Sequence, residues 1–259
     1  MTSESTPAIK KRALRNPGQS LEEQIAQIVD EHVVVWYAAA FCVTFYTVIE
    51  WVRWTLSDRF HPLMFTSLAV VVLAIFARKF ITARDNVRRL QTGLAGERHT
   101  GNYLQNSLLR NGYWLIHDIV DDAGNIDHAV IGPGGVFSVE TKTRTKRKGE
   151  NKVTYDGTQI LVNGLAPDRD PVVQAKAAAR SLQRILRDYT GTTVEVRPVV
   201  LFHEWYVEAQ PRSAETWVLN EKAFVKFVEN EPERLSKEDV FRLAAALGRY
   251  VRDQEEKRN

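Results

Sequence analysis

The sequence predicts an α/β domain, a mixed sheet flanked by helices, preceded by a two-helix transmembrane hairpin. Three observations carry this expectation. Two long uncharged runs lie near the N-terminus. From Leu90 onward, short β-branched segments are bracketed by helical ones. The single cysteine, Cys42, excludes a disulfide framework and any cysteine-based metal cluster. The 259 residues carry 35 basic and 32 acidic side chains, a formal charge of +3. Bulk charge is therefore no grip on nucleic acid, and any basic footprint must be local.

The N-terminal elements come first. In residues 1–32, Ser20 and Glu23 are spaced as a capping box that opens a short amphipathic helix, with Leu21, Ile25 and Ile28 as its apolar stripe. Val33 to Ile49 is 17 residues without a charge, and Phe60 to Ala77 is 18 with only His61 ionisable. Each reaches the length of a membrane span and is apolar all round. Trp36 and Tyr37 at one end and Trp51 and Trp54 at the other suit the two interfaces. Residues 33–80 are thus expected to cross a lipid bilayer twice, with a tight connector at Ser57-Asp58-Arg59. The alternative is a helical hairpin buried in a soluble protein. Basic residues set the orientation: Lys10, Lys11, Arg12 and Arg15 precede the hairpin, and Arg78, Lys79, Arg84, Arg88 and Arg89 follow it. Both termini are expected on the cytoplasmic side of an inner membrane. The first apolar run starts too late for a cleaved signal peptide.

From Leu90 to Asn259 the chain holds 24 basic and 24 acidic residues. The patterns predict a helix at 94–110, strands at 114–118, 126–131 and 136–141, and a small hairpin at 153–155 and 160–162. A helix at 172–189 follows, then strands at 194–202 and 216–219 and helices at 221–229 and 237–256, the last capped by Ser236. Residues 90–205 read as one domain, with 206–259 adding a strand and helices that pack on it.

The chemistry gathers around one turn. Gly132-Pro133-Gly134-Gly135 separates two strands and makes them an antiparallel hairpin. If Ile131 pairs with Val136, Asp127 falls opposite Glu140, and Lys142 shares that face two residues on. A slip of one residue would break the arrangement. Glu97 lies on the core-facing stripe of the preceding helix with Gly101, Leu104 and Leu108. A carboxylate there is either solvated at the helix end or faced by a partner. A metal ion held by Asp127, Glu140 and Glu97 would be such a partner, and hard oxygen ligands select Mg²⁺ or Mn²⁺. His128 alternates to the other face as a packing histidine, and His99 and His117 have no evident partner. The glycine turn lacks the lysine and hydroxyl residue of a nucleotide-binding loop.

The run from Ile126 through Phe137 into Glu140-Thr141-Lys142 resembles the signature of the nuclease-related domain (NERD). That family is similar to the PD-(D/E)xK nucleases of restriction-endonuclease-like fold. Gly96-Glu97, Gly112-Tyr113 and the stretch from Pro171 to Gln174 fit in order and spacing. The resemblance implies a divalent metal on Asp127 and Glu140, a lysine, Lys142, that orients water and stabilises phosphate charge, an acid at Glu97 and a glutamine at Gln174. Asp170-Pro171 departs from the usual Asn-Pro pair. The implied chemistry is metal-assisted phosphodiester hydrolysis, with DNA ahead of RNA as substrate. The alternative function is a membrane-tethered nucleic-acid-binding or scaffold module that no longer cuts. Arg144, Lys146, Arg147 and Lys148 crowd the segment after the site, and Lys176, Arg180 and Arg184 share one face of the later helix. Both groups are expected to track a phosphate backbone, the helix stripe being otherwise a solvated face and the loop also suited to anionic lipid.

Overall fold

Hydrophobic period and turn chemistry place most elements where the sequence predicts them. A computed structural model describes residues 14–57, 62–122, 124–146, 151–208, 211 and 214–258. Lys10, Lys11, Arg12, Asp58, Arg59, Arg147 and Lys148 lie outside the described residues. The chain divides into two compact units, one of residues 20–94 and one of residues 1–19 with 95–259.

In the first unit, α1 (Gln19–Ile28) passes through a π-helical stretch (Val29–Val34) into α2 (Val35–Ser57), and α3 (Leu63–Leu108) begins after the connector. α1 starts at Gln19 and not after Ser20. Asn16 supplies the start instead: its carbonyl accepts from Gln19 N at 3.2 Å, and its own N–H donates to Gln19 Oε1 at 3.2 Å. Only the return half of a capping box is present, the Gln19 side chain on the Asn16 N–H, and it lies one turn earlier than the Ser20–Glu23 spacing suggests. α2 and α3 are both long and apolar enough to cross a membrane. They run antiparallel, with Tyr46 against Phe65 at 5.2 Å between ring centroids and Tyr37 against Phe76 at 6.5 Å. Trp51 Nε1 donates to Thr66 Oγ1 at 2.9 Å. The outward faces carry exposed Phe41, Phe45, Val48, Leu68, Val71 and Leu73. α3 runs without a break through the region where separate elements were expected, and its residues 95–108 belong to the second unit.

The second unit is a mixed α/β fold. β1 (Trp114–Asp121), β2 (Gly124–Gly132) and β3 (Gly135–Lys142) form an antiparallel meander. β4 (Lys152–Tyr155) and β5 (Ile160–Val162) form the small hairpin, and α4 (Pro171–Thr190) crosses over to β6 (Val196–Phe202), which pairs parallel with β3. A parallel neighbour requires such a crossover. The short β7 (Tyr206–Val207) joins β4, and β8 (Trp217–Leu219) joins β6, giving sheets ordered β1-β2-β3-β6-β8 and β5-β4-β7. α5 (Glu221–Glu229) and α6 (Lys237–Arg258) complete the chain.

Both sheet faces are covered. On one, Ile116, Ile126 and Ile131 pack with Leu182 and Leu186 of α4 and Leu243 and Leu247 of α6. On the other, Phe137 and Val199 pack with Leu104 and Leu108 of α3 and Phe224 of α5. Asp170 is the N-cap of α4, its Oδ1 accepting from Val172 N at 2.8 Å, with Pro171 in the first turn. Asp and Asn cap equally well, so the departure from Asn-Pro leaves this helix start intact. Ser236 caps α6 as expected, its Oγ accepting from Asp239 N at 3.1 Å.

Candidate active site

The site forms where β2 and β3 separate. Ile131 pairs with Val136, and the ladder continues to His128 opposite Val139. The next pair in that register is Asp127 and Glu140. Here the backbone ladder ends and the Asp127 carboxylate takes over, Oδ2 accepting from Thr141 N at 2.6 Å. Lys142 Nζ donates to Glu140 Oε1 at 2.7 Å and to Gln174 Oε1 on α4 at 2.8 Å. All four side chains are half-buried. The hairpin register, the Lys142 face and the Gln174 contact therefore meet at one end of the sheet.

Glu97 arrives from α3 because of its neighbour. A Cβ on Gly96 would stand 1.7 Å from Thr143 Oγ1, so only glycine lets the helix pass this close to the end of β3. Burial, then the charges of Asp118 and Glu140, push the Glu97 carboxyl up to about 7, against the pull of Lys142. Burial, then Glu140 and Glu97, hold Asp127 well above the usual carboxylate range, against the Thr141 N–H and Lys142. Three carboxyl groups share one lysine, and the raised Glu97 and Asp127 carboxyls record the shortage of positive charge. Carboxylate oxygen is the donor type that a hard divalent cation takes, and such an ion would relieve the same repulsion.

Asp118 was missed. The expected strand stopped there, but β1 continues to Asp121, and the register places Asp118 across from Asp127. Its backbone is left-handed, with φ 51°, and it is buried. Arg15 Nε bonds Asp118 Oδ2 at 2.6 Å, and Arg15 Nη1 pairs with Glu255. Arg15 is thus a buried partner inside the α/β unit and not a free charge beside the hairpin. Lys10, Lys11 and Arg12, the rest of the expected N-terminal flank, lie outside the described residues. The N-terminal tail carried no sequence signal for this contact, which spans more than a hundred residues.

His128 is fully buried as expected, and His117 meets it with Nδ1 to Nδ1 at 3.0 Å. Burial pushes His117 down to about 4, so the pair is neutral. His99 does have a neighbour: its ring lies 4.6 Å from that of His203.

The basic residues divide. Arg144 is exposed beside the site, and Lys146 is 3.8 Å from Glu204. On α4, Lys176 pairs with Glu215 at 2.7 Å and Arg184 with Asp121 at 2.6 Å. Arg180 is exposed and makes no ion pair with a described residue. Lys176 and Arg180 line an open cavity of about 550 Å³ that none of the site carboxylates borders.

Fold and site together define a mixed α/β domain with an acid–acid–lysine cluster at the open end of its central sheet. Residues 92–203 match the family model of the nuclease-related domain (NERD). No curated protein and no solved structure gave a significant match.

Proposed function

We propose that the chain is a membrane-anchored, metal-dependent nuclease with a restriction-endonuclease-like arrangement of its α/β unit. The observation that carries this reading is the convergence of Asp127, Glu140 and Lys142 with a Glu97 carboxyl that titrates near neutrality. Asp127, Glu140 and Glu97 would hold Mg²⁺ or Mn²⁺. A bound divalent ion supplies Lewis-acid polarisation of the scissile phosphate. The chain's own groups do the rest. Lys142, aimed by its bonds to Glu140 and Gln174, donates to a phosphate oxygen as charge develops there and orients the attacking water. The Thr141 N–H fixes the Asp127 carboxylate. Arg144 and Arg180 offer backbone phosphate contacts without sequence readout, with DNA ahead of RNA, while Lys146, Lys176 and Arg184 are paired with acids.

α2 and the apolar part of α3 would anchor this unit to the inner membrane, with both termini cytoplasmic. Their exposed apolar sides support the reading, as do the basic residues that follow. An enzyme reporter active only outside the cytoplasm should stay silent when fused after Asn259, and activity there would reverse the orientation.

The decisive assay incubates the full chain, purified in detergent, with single- and double-stranded DNA and RNA, with Mg²⁺ or Mn²⁺ and with EDTA. Cleavage should need metal and vanish in Glu140→Ala. Metal at a hundredfold excess over its dissociation constant should stabilise the parent by about 2.7 kcal/mol. Glu140→Gln should match or exceed the parent's stability in EDTA and gain little from metal. No cleavage, with no metal-dependent shift in either protein, would instead make the nuclease fold a tethered nucleic-acid-binding module.

A further inference from the structure

A second cluster of metal-ligating side chains lies outside the carboxylate site. His99 is on α3, His203 directly follows β6, and Glu221 opens α5. His99 lies more than a hundred residues before His203 and Glu221, yet one ligand atom from each lies within 4.8 Å of the others. We propose that His99, His203 and Glu221 bind a transition-metal ion of the Zn²⁺ class, at a site separate from the carboxylate cluster.

One pair has the dimensions of a coordination edge. His203 Nδ1 is 3.3 Å from Glu221 Oε1. That nitrogen is buried and makes no hydrogen bond, so the two atoms approach without being aligned donor to acceptor. Two ligands bound tetrahedrally to one zinc at its usual bond lengths stand about 3.3–3.4 Å apart. The His99 ring, 4.6 Å from that of His203 and tilted by 50°, needs a modest turn to complete the set. His99 is exposed on its helix.

The surroundings hold two of the ligands in place. Glu221 is 3% exposed, and no described Lys or Arg forms an ion pair with it. A buried carboxylate needs a cationic or hydrogen-bonding partner. Its Oε2 accepts from Glu204 N at 3.3 Å, leaving Oε1 directed to His203. Asn220 caps α5, its Oδ1 accepting from Ala223 N at 2.9 Å, and so fixes the helix start that carries Glu221. His203 N donates to Lys142 O at 3.2 Å, which anchors the backbone of the second ligand.

The donor set also distinguishes the two sites. Three carboxylates suit Mg²⁺ or Mn²⁺, whereas two imidazoles and one carboxylate suit Zn²⁺, Co²⁺ or Ni²⁺. Three protein ligands leave a coordination position free. His99 and Glu221 both border a cavity of about 580 Å³ that Tyr103, Lys146 and Lys222 also line. Bound metal would brace α3 two residues beyond Glu97 against the end of β6 and the start of α5.

Cobalt spectroscopy on the untagged full chain in detergent, stripped with chelator and then titrated with Co²⁺, tests the site. One equivalent should produce the intense visible d–d band of a low-coordinate nitrogen–oxygen site. Zn²⁺ should abolish the band and millimolar Mg²⁺ should leave it. His99→Ala removes an exposed side chain and should raise the Co²⁺ dissociation constant at least about tenfold, no less than the loss seen when supporting partners of metal ligands are removed. His203→Asn should do the same, and Glu140→Gln should keep the parent band. The proposal is overturned by a parent that shows no band, by a band that survives both histidine substitutions, or by a band that disappears in Glu140→Gln.

Discussion

The open end of the sheet and the outer face of α4 are built from the same kinds of charge and treat them oppositely. At the sheet end Glu97, Asp127 and Glu140 share Lys142, and two of the three carboxyl groups are driven toward protonation. On α4, Lys176 and Arg184 each have an acid of their own, Glu215 and Asp121. A paired surface charge is solvated scaffolding and contributes little. Carboxylates crowded faster than cations can neutralise them are costly, and that cost is met where a ligand or a reaction uses it. Charge counts along the sequence cannot separate the two cases, but partner counts in space do.

The comparison breaks most sharply at Lys142. Lys142→Met should lower cleavage at least about a hundredfold, the scale for losing one group that stabilises developing charge, while metal-dependent stabilisation survives. Lys176→Ala should change turnover by a small factor. Equal losses in a single-turnover assay would mean that the two regions do not differ.

The pH dependence of stability comes next. The folded Glu97 carboxyl titrates near 7 against an ordinary value of 4.5. Between those values the folded unit holds more protons than the unfolded chain. Without metal, stability should therefore be highest on the acid side of this window and fall as pH rises, by up to ~1.4 kcal/mol per unit from Glu97, levelling off above about 7. Asp127 shifts in the same direction. Glu97→Gln should flatten the slope in denaturant melts with EDTA, and an unchanged slope would remove Glu97 from the cluster.

Gly96→Ala tests how the crowding is built. With Thr143 in the way, the helix must move, at about 1–3 kcal/mol. The Glu97 contribution to the pH slope should shrink with it.

The smallest effects separate members of the α4 stripe. Arg184→Ala should cost up to about 1 kcal/mol of stability, because Asp121 loses its partner. Arg180→Ala should leave stability alone and reduce the salt dependence of nucleic-acid binding by about one unit of log–log slope. Identical behaviour of the two variants would erase the distinction between paired and unpaired cations.

What the sequence determined by itself is local. Hydrophobic run length marks the two apolar helices, period-2 alternation marks the strands, and the Gly132–Gly135 turn sets the β2–β3 register. That register puts Asp127 opposite Glu140 with Lys142 two residues on, because strand periodicity carries a turn's geometry outward without help from the rest of the chain. Only the tertiary structure decided which charges have partners. Asp118 belongs near the cluster because β1 outlasts its sequence pattern and turns left-handed there. Arg15 meets Asp118 across more than a hundred residues, and His99 meets His203 across a similar stretch. Lys176 and Arg184 sit on one helical face in sequence and are neutralised by acids from separate loops and strands. Periodicity speaks for neighbours along the chain. Neutralisation depends on neighbours across it, which packing of the two sheet faces alone brings together.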